Sequence, residues 1–292
     1  MSVLAAFQPD WLTVLQAGFM RNAFIAGSIV ALASGLIGYF VIVRGSAFAT
    51  HALAHIGFPG ATGAVLVGAP ITAGLLVFTL GGALAIGVLG KRAAEREVAT
   101  GTVLAFATGL GILFGTLATR SANTVTNVLF GNLLAIAPDQ LVVFGAFMLV
   151  LVVVLAAVYR PLLFASADPQ VAEAKGVPVR ALGVLFMVLL ALVITMAVQV
   201  VGTLLLFGLV VTPAATAFMV TARPGAVLAV GSVVSLLSVW IGLVLSVMFN
   251  LPPSFFIISV ATFAWLVTWG LTRRGRRGVS GSAGAAGAAA TH

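Results

Sequence analysis

The chain contains no cysteine, so disulfide scaffolds, thiolate metal sites, iron–sulfur clusters and cysteine nucleophiles are all excluded. Charge is nearly as scarce. Only 7% of the 292 residues are Asp, Glu, Lys or Arg, against about a quarter in a soluble domain, too few to cover a water-facing surface. There is no G-x-x-x-x-G-K-[ST] phosphate loop, no H-E-x-x-H, and no G-x-S-x-G in a strand–turn–helix setting. The chain therefore lacks the usual means of hydrolysing ATP, and enzyme chemistry has no support. Met1 to Gln16 carries Asp10 and no Lys or Arg, so a cleavable secretory signal is not indicated.

What is present is apolar. Alanine, valine, leucine and their kin make up 62% of the chain, glycine contributes 33 residues, and the mean hydropathy is +1.24. Runs of about 20 apolar residues recur, each long enough to cross a hydrocarbon core of about 30 Å as a helix. Breakers and charges divide them near 17–43, 48–69, 70–90, 98–118, 139–159, 181–200, 202–221, 225–249 and 253–271. This predicts an all-α polytopic membrane protein with about nine transmembrane helices, or eight if 181–200 and 202–221 form one broken span. Arg44, then Lys91, Arg92 and Arg96, then Arg160, Lys175 and Arg180, then Arg223, then Arg273, Arg274, Arg276 and Arg277 fall at every second junction. That is the positive-inside pattern for nine helices, with the N-terminus outside, the C-terminus in the cytoplasm, and Arg21 and Arg120 as exceptions. The net charge of +8 therefore marks membrane orientation rather than nucleic-acid binding.

The sequence divides into an external N-terminal segment (1–16), a membrane domain (17–271) and a basic, then Gly/Ser/Ala-rich, cytoplasmic tail (272–292) expected to be irregular. Two stretches inside the membrane domain are too polar for lipid. Residues 119–138, with Ser121, Asn123, Thr124, Asn127 and Asn132, read as the end of the fourth helix plus an external or re-entrant element. Residues 160–180, with Asp168, Pro169, Glu173, Lys175, Gly176 and Pro178, read as a cytoplasmic connection with room for a short helix between Pro169 and Gly176.

Chemistry has few places to live. All 6 carboxylates, Asp10, Glu95, Glu97, Asp139, Asp168 and Glu173, lie outside or at the ends of the spans, so none supplies the buried acid a proton- or sodium-driven carrier uses. His51 and His55 remain. A spacing of four puts both imidazoles on one helix face, where one helix offers two nitrogen ligands to a metal. The same pair near a helix end also fits an interfacial role, bonded to water or headgroups. In a homodimer with this helix facing its mate, two copies would bring four imidazoles to the axis.

Four stretches then resemble a known family, the permease subunits of bacterial ABC importers for zinc and manganese that are fed by cluster A-I metal-binding proteins. Val43-Arg44-Gly45-Ser46-Ala47-Phe48-Ala49-Thr50-His51-Ala52-Leu53-Ala54-His55 resembles its basic turn and D-x-L-x-H element. Leu129 to Ile136 (LFGNLLAI) resembles F-G-[DN]-L-L-[AS]. Asp168 to Gly176 (DPQVAEAKG) resembles D-P-x-x-A-x-x-x-G, and Val201-Gly202-Thr203-Leu204-Leu205 with Thr212-Pro213-Ala214-Ala215-Thr216-Ala217 resembles V-G-x-L-L with I-P-A-A-T-A.

The resemblance covers about residues 19 to 271 in order and implies a type II importer fold in a bacterial plasma membrane. It also implies a homodimer, two separate ATPase subunits on the cytoplasmic face and an extracytoplasmic metal-binding receptor. It makes Asp168, Pro169, Ala172, Glu173 and Gly176 an ATPase-coupling helix, and His51 and His55 ligands to a passing divalent metal, with no cofactor stably bound. The family's first ligand is Asp where this chain has His51. Exchanging carboxylate for imidazole points to zinc over manganese, and leaves open a metal chelate as cargo. A self-sufficient secondary cation carrier is the alternative in another class. An imidazole site also ties uptake to pH, because protonation competes with metal.

Overall fold

The computed structural model describes residues 11–89, 93–117 and 121–288, without the side chains of 89, 93–96, 121–125 and 273–288. Asp10, Lys91, Arg92, Arg120 and His292 lie outside the described residues, as do the side chains of Glu95, Arg96, Ser121, Asn123, Thr124 and Arg273, Arg274, Arg276 and Arg277.

Every regular element among the described residues is helical: α1 (Trp11–Leu15), α2 (Gly18–Val43), α3 (Ala47–Val67), α4 (Ile71–Leu89), α5 (Ala93–Leu117), α6 (Ser121–Phe130), a 3₁₀ turn (Leu133–Ala135), α7 (Pro138–Ala167), α8 (Pro169–Ala174), α9 (Val179–Val201), α10 (Leu206–Val210), α11 (Thr212–Val220), α12 (Pro224–Phe249) and α13 (Pro253–Ala288). Seven of these, α2, α4, α5, α7, α9, α12 and α13, are long and apolar enough to cross a membrane. The other two expected spans take different forms. The span expected at 48–69 is the 21-residue helix α3, whose polar residues dilute its hydropathy, and the one expected at 202–221 divides into the short helices α10 and α11.

Burial sorts the helices into centre and rim. In α2 and α9, 67% of a membrane-length stretch is buried, against 17% in α5 and α7 and 11% in α13. The rim helices instead expose Phe106, Ile112, Val142, Leu149, Val153 and Phe263, surfaces suited to lipid. Small residues set the closest approaches, since apolar helices in lipid associate by packing rather than by escape from water. A Cβ on Gly35 of α2 would collide with the backbone of Ser232 in α12, and one on Gly60 of α3 would meet the carbonyl of Gly74 in α4.

Two boundaries differ from expectation. The connection expected from residue 160 begins later, because α7 runs on through Arg160 and Pro161 to Ala167. Leu162 and Ala165 are buried there, so tertiary packing carries the helix past a local breaker. The tail expected to be irregular continues the α13 backbone to Ala288, in keeping with the helix propensity of its alanines.

Candidate functional site

Helix α3 starts from a tightly bonded turn. Arg44 caps α2, Gly45 takes φ +60°, and the Ser46 amide donates to the Val41 carbonyl at 2.8 Å. The left-handed position suits glycine, which has no Cβ to clash. The Thr50 amide and hydroxyl both donate to the Ser46 carbonyl at 2.9 Å. His51 follows immediately, and His55 stands one turn further along. Their ring centres are 4.7 Å apart at an interplanar angle of 68°. Ala49, Thr50, Ala52, Leu53, Ala54 and Ile56 are buried, whereas His51, His55 and Phe58 are half-buried and Phe48 is exposed. The imidazoles therefore lie along the open stripe of an otherwise packed helix.

The structure thus brings together the two residues that sequence spacing paired. Pro59, inside α3, has no N–H to give to the His55 carbonyl four residues back, which loosens the backbone oxygen next to the pair. Among the described residues no cluster of three or more His, Cys, Asp or Glu could hold a metal, so one copy offers two side-chain ligands.

The expected cytoplasmic helix is α8. The Asp168 carboxylate accepts from the Val171 amide at 3.0 Å as the N-cap, and Pro169 occupies the first turn. The Val177 amide donates to the Ala172 carbonyl at 3.0 Å, and Gly176 adopts φ +79° to close the C-terminus. Ala172 is fully buried and anchors α8, while Val171, Glu173, Lys175 and Arg180 face outward. A cavity of about 620 Å³ separates α8 from the ends of α2 and α9, bordered by Arg44, Ser166, Pro169, Glu173, Arg180 and Phe186. Because Arg44 reaches Ser166 near the end of α7, the histidine pair lies in the half of α3 nearest the α8 end of the molecule.

At the opposite end, the structure joins two other motif stretches that the sequence could only place in order. The Asn132 amide donates to the Gln199 carbonyl at 3.0 Å, and the Thr203 amide to the Val128 carbonyl at 2.9 Å. Gly131 and Gly202 cross here with φ +76° and +82°, so close that a Cβ on either would strike the other segment's backbone. The Gln199 side chain, which sequence reasoning missed, accepts from Thr72 at 2.8 Å and from Gln140 at 3.4 Å and donates to the Thr195 carbonyl at 2.9 Å. Thr195 itself pairs with Thr79 of α4 at 2.8 Å, fully buried. The available signal was two polar residues, Thr195 and Gln199, one turn apart in an apolar run.

Comparison with known proteins places this architecture. The model of the ABC 3 transport family matches residues 16–271. The manganese transport system membrane protein MntC of Listeria innocua is 32% identical over 255 residues, covering 87% of this chain and 91% of that protein. The manganese import system permease protein ScaB of Streptococcus gordonii is 29% identical over 260 residues, 88% of this chain and 93% of the other. Among solved structures, PsaBC from Streptococcus pneumoniae in complex with Fab superposes with a TM-score of 0.80 at 28% identity, covering 89% of this chain and 94% of that one. With its family match spanning the whole helical domain and its apolar helices of membrane length, this chain is a multi-pass membrane protein belonging to the ABC 3 transport family.

Proposed function

We propose that the chain is the permease of an ATP-driven importer of divalent transition-metal ions, working as a homodimer with separate ATPase subunits at the α8 end and a metal-binding receptor at the other. The observation that carries this is the placement of a paired-imidazole stripe on the same half of the molecule as a capped, outward-facing helix α8, in a chain of this family. In this reading Asp168, Pro169 and Gly176 shape α8, Ala172 anchors it, and Glu173 faces the ATPase. His51 and His55 receive the metal, and a second copy supplies two further imidazoles. No carboxylate is needed at depth, because ATP binding on the partner rather than an ion gradient drives the cycle.

Manganese is the first reading of the cargo, supported by the names of the relatives. The expectation of zinc over manganese finds no support in those relatives. Zinc stays as a second reading on one observation, the all-nitrogen pair at His51 and His55. The test is uptake of manganese, zinc, iron and cobalt into vesicles holding the permease, its ATPase and its receptor. Saturable, ATP-dependent accumulation of one of these ions is expected. Accumulation that proceeds without ATP would establish a secondary carrier instead, and ATP-dependent complexes that move none of the four would point to a chelate.

A further inference from the structure

Arg44 does more than mark a cytoplasmic junction. Its guanidinium Nη1 donates to the Ser166 hydroxyl at 3.1 Å, and Ser166 in turn donates to the Leu162 carbonyl at 2.6 Å within the last turns of α7. The same guanidinium lies over the Phe186 ring of α9, with its central carbon 5.2 Å from the ring centre. Gly183, one turn before Phe186, makes room for it: a Cβ at Gly183 would stand 3.3 Å from Nη2. Helices α7 and α9 flank α8 on either side in the chain, so a single side chain holds both supports of that helix.

The other end of Arg44 is its backbone, and that backbone is the α2–α3 turn. The bonds from Ser46 to Val41 and from Thr50 to Ser46 leave this turn little freedom. His51 is the next residue after Thr50. A displacement of the α7 and α9 ends is therefore delivered through the guanidinium to the first turn of α3, within two turns of both imidazoles. Lysine could not replace it, since an ammonium lacks both the flat face that stacks and the fork that reaches Ser166 at the same time.

We propose that Arg44 is a positioning residue for coupled transport, linking movement of α8 to the geometry of the His51–His55 pair through Ser166, Gly183 and Phe186. This rests on the coupling role given to α8 above. Arg44 touches no metal in this scheme. It sets how much of each ATPase cycle reaches the histidines.

The test uses the reconstituted complex of permease, ATPase and receptor, with metal uptake and ATP hydrolysis measured in the same vesicles. Arg44→Ala is expected to lower the metal moved per ATP hydrolysed about tenfold, the scale set by the loss of one charge-assisted hydrogen bond. Arg44→Lys is expected to recover little of it, and Ser166→Ala and Gly183→Ala to lower the ratio less, in the same direction. A wild-type ratio in Arg44→Ala overturns the inference, even if both rates fall together. Should that variant fail to assemble, wild-type ratios in both Ser166→Ala and Gly183→Ala overturn it equally. Val171→Asp, at an exposed apolar position of α8, separates the role of that helix from the role of Arg44. If it leaves uptake and hydrolysis unchanged, the coupling role of α8 falls. If it disturbs them while the Arg44→Ala ratio stays normal, only the role of Arg44 falls.

Discussion

Removing one imidazole should weaken the site by far more than half, because the pair acts as a chelate. His51 and His55 are held 4.7 Å apart by one turn of a helix whose other faces are buried, so binding to one ring leaves the second already in reach of the ion. In His55→Ala one imidazole remains in each copy, and the homodimer proposed above would lose two ligands at once. Loss of an outer-shell partner already weakens metal binding about 10- to 100-fold, or about 1.4 to 2.8 kcal/mol, and a direct ligand should cost at least that much. The assay is calorimetric titration of manganese and of zinc into the purified permease, without receptor, for the native protein, His51→Ala, His55→Ala and Phe48→Ala. Phe48 is exposed on the same stripe and contributes no donor, so its removal should leave the affinity unchanged. Both histidine variants are expected to bind at least about tenfold more weakly. Native affinity for both metals in both histidine variants, with the helical content intact, would refute the chelate argument.

His51→Asp should move the binding preference toward manganese, because a carboxylate adds an oxygen ligand and a negative charge in each copy; the ratio of manganese to zinc affinity measures it. Asp168→Ala should cost α8 about 1 kcal/mol by leaving the Val171 amide uncapped, seen as weaker retention of the ATPase during purification, with Asp168→Asn recovering most of it. Gly60→Ala should destabilise the α3–α4 packing by about 1 to 3 kcal/mol, read as a lower melting temperature of the purified protein, because its Cβ has nowhere to go but into the Gly74 carbonyl.

The long helices were legible because lipid leaves a coarse signature. A run of about 20 apolar residues has few other uses, and basic residues at alternate junctions are hard to arrange by accident. Short-range signals read less well where neighbours intervene. Arg160 and Pro161 look like a terminus, yet Leu162 and Ala165 find partners and α7 continues. Residues 202–221 look like one span, yet Gly202 takes φ +82° where it crosses Gly131, and the helical stretch begins only at Leu206, with a turn at Val211 between α10 and α11. The His51–His55 pair was visible because its meaning lies in a spacing of four. Gln199 was not, because its partners Thr72 and Gln140 are distant in sequence and nothing in an apolar run announces which partly buried amide will be shared.

The two ends of the bundle are built on different principles, and this bears on how an ion could pass. At the end away from α8, backbone bonds join residues 128–132 to 199–204, and Gln199 ties α4 and α7 to the same point. Each such bond contributes about 1 kcal/mol, so parting the whole set would cost several times that and would be rare without an outside source of energy. At the α8 end, among the described residues, the Arg44 side chain links α7 and α9 beside a cavity of about 620 Å³. A side-chain link can slide or re-form through rotamer changes, whereas a backbone crossing of two glycines opens only if a whole segment moves. The cost of rearrangement is therefore concentrated at the end away from α8. The α8 end, where the histidines lie, can follow smaller movements.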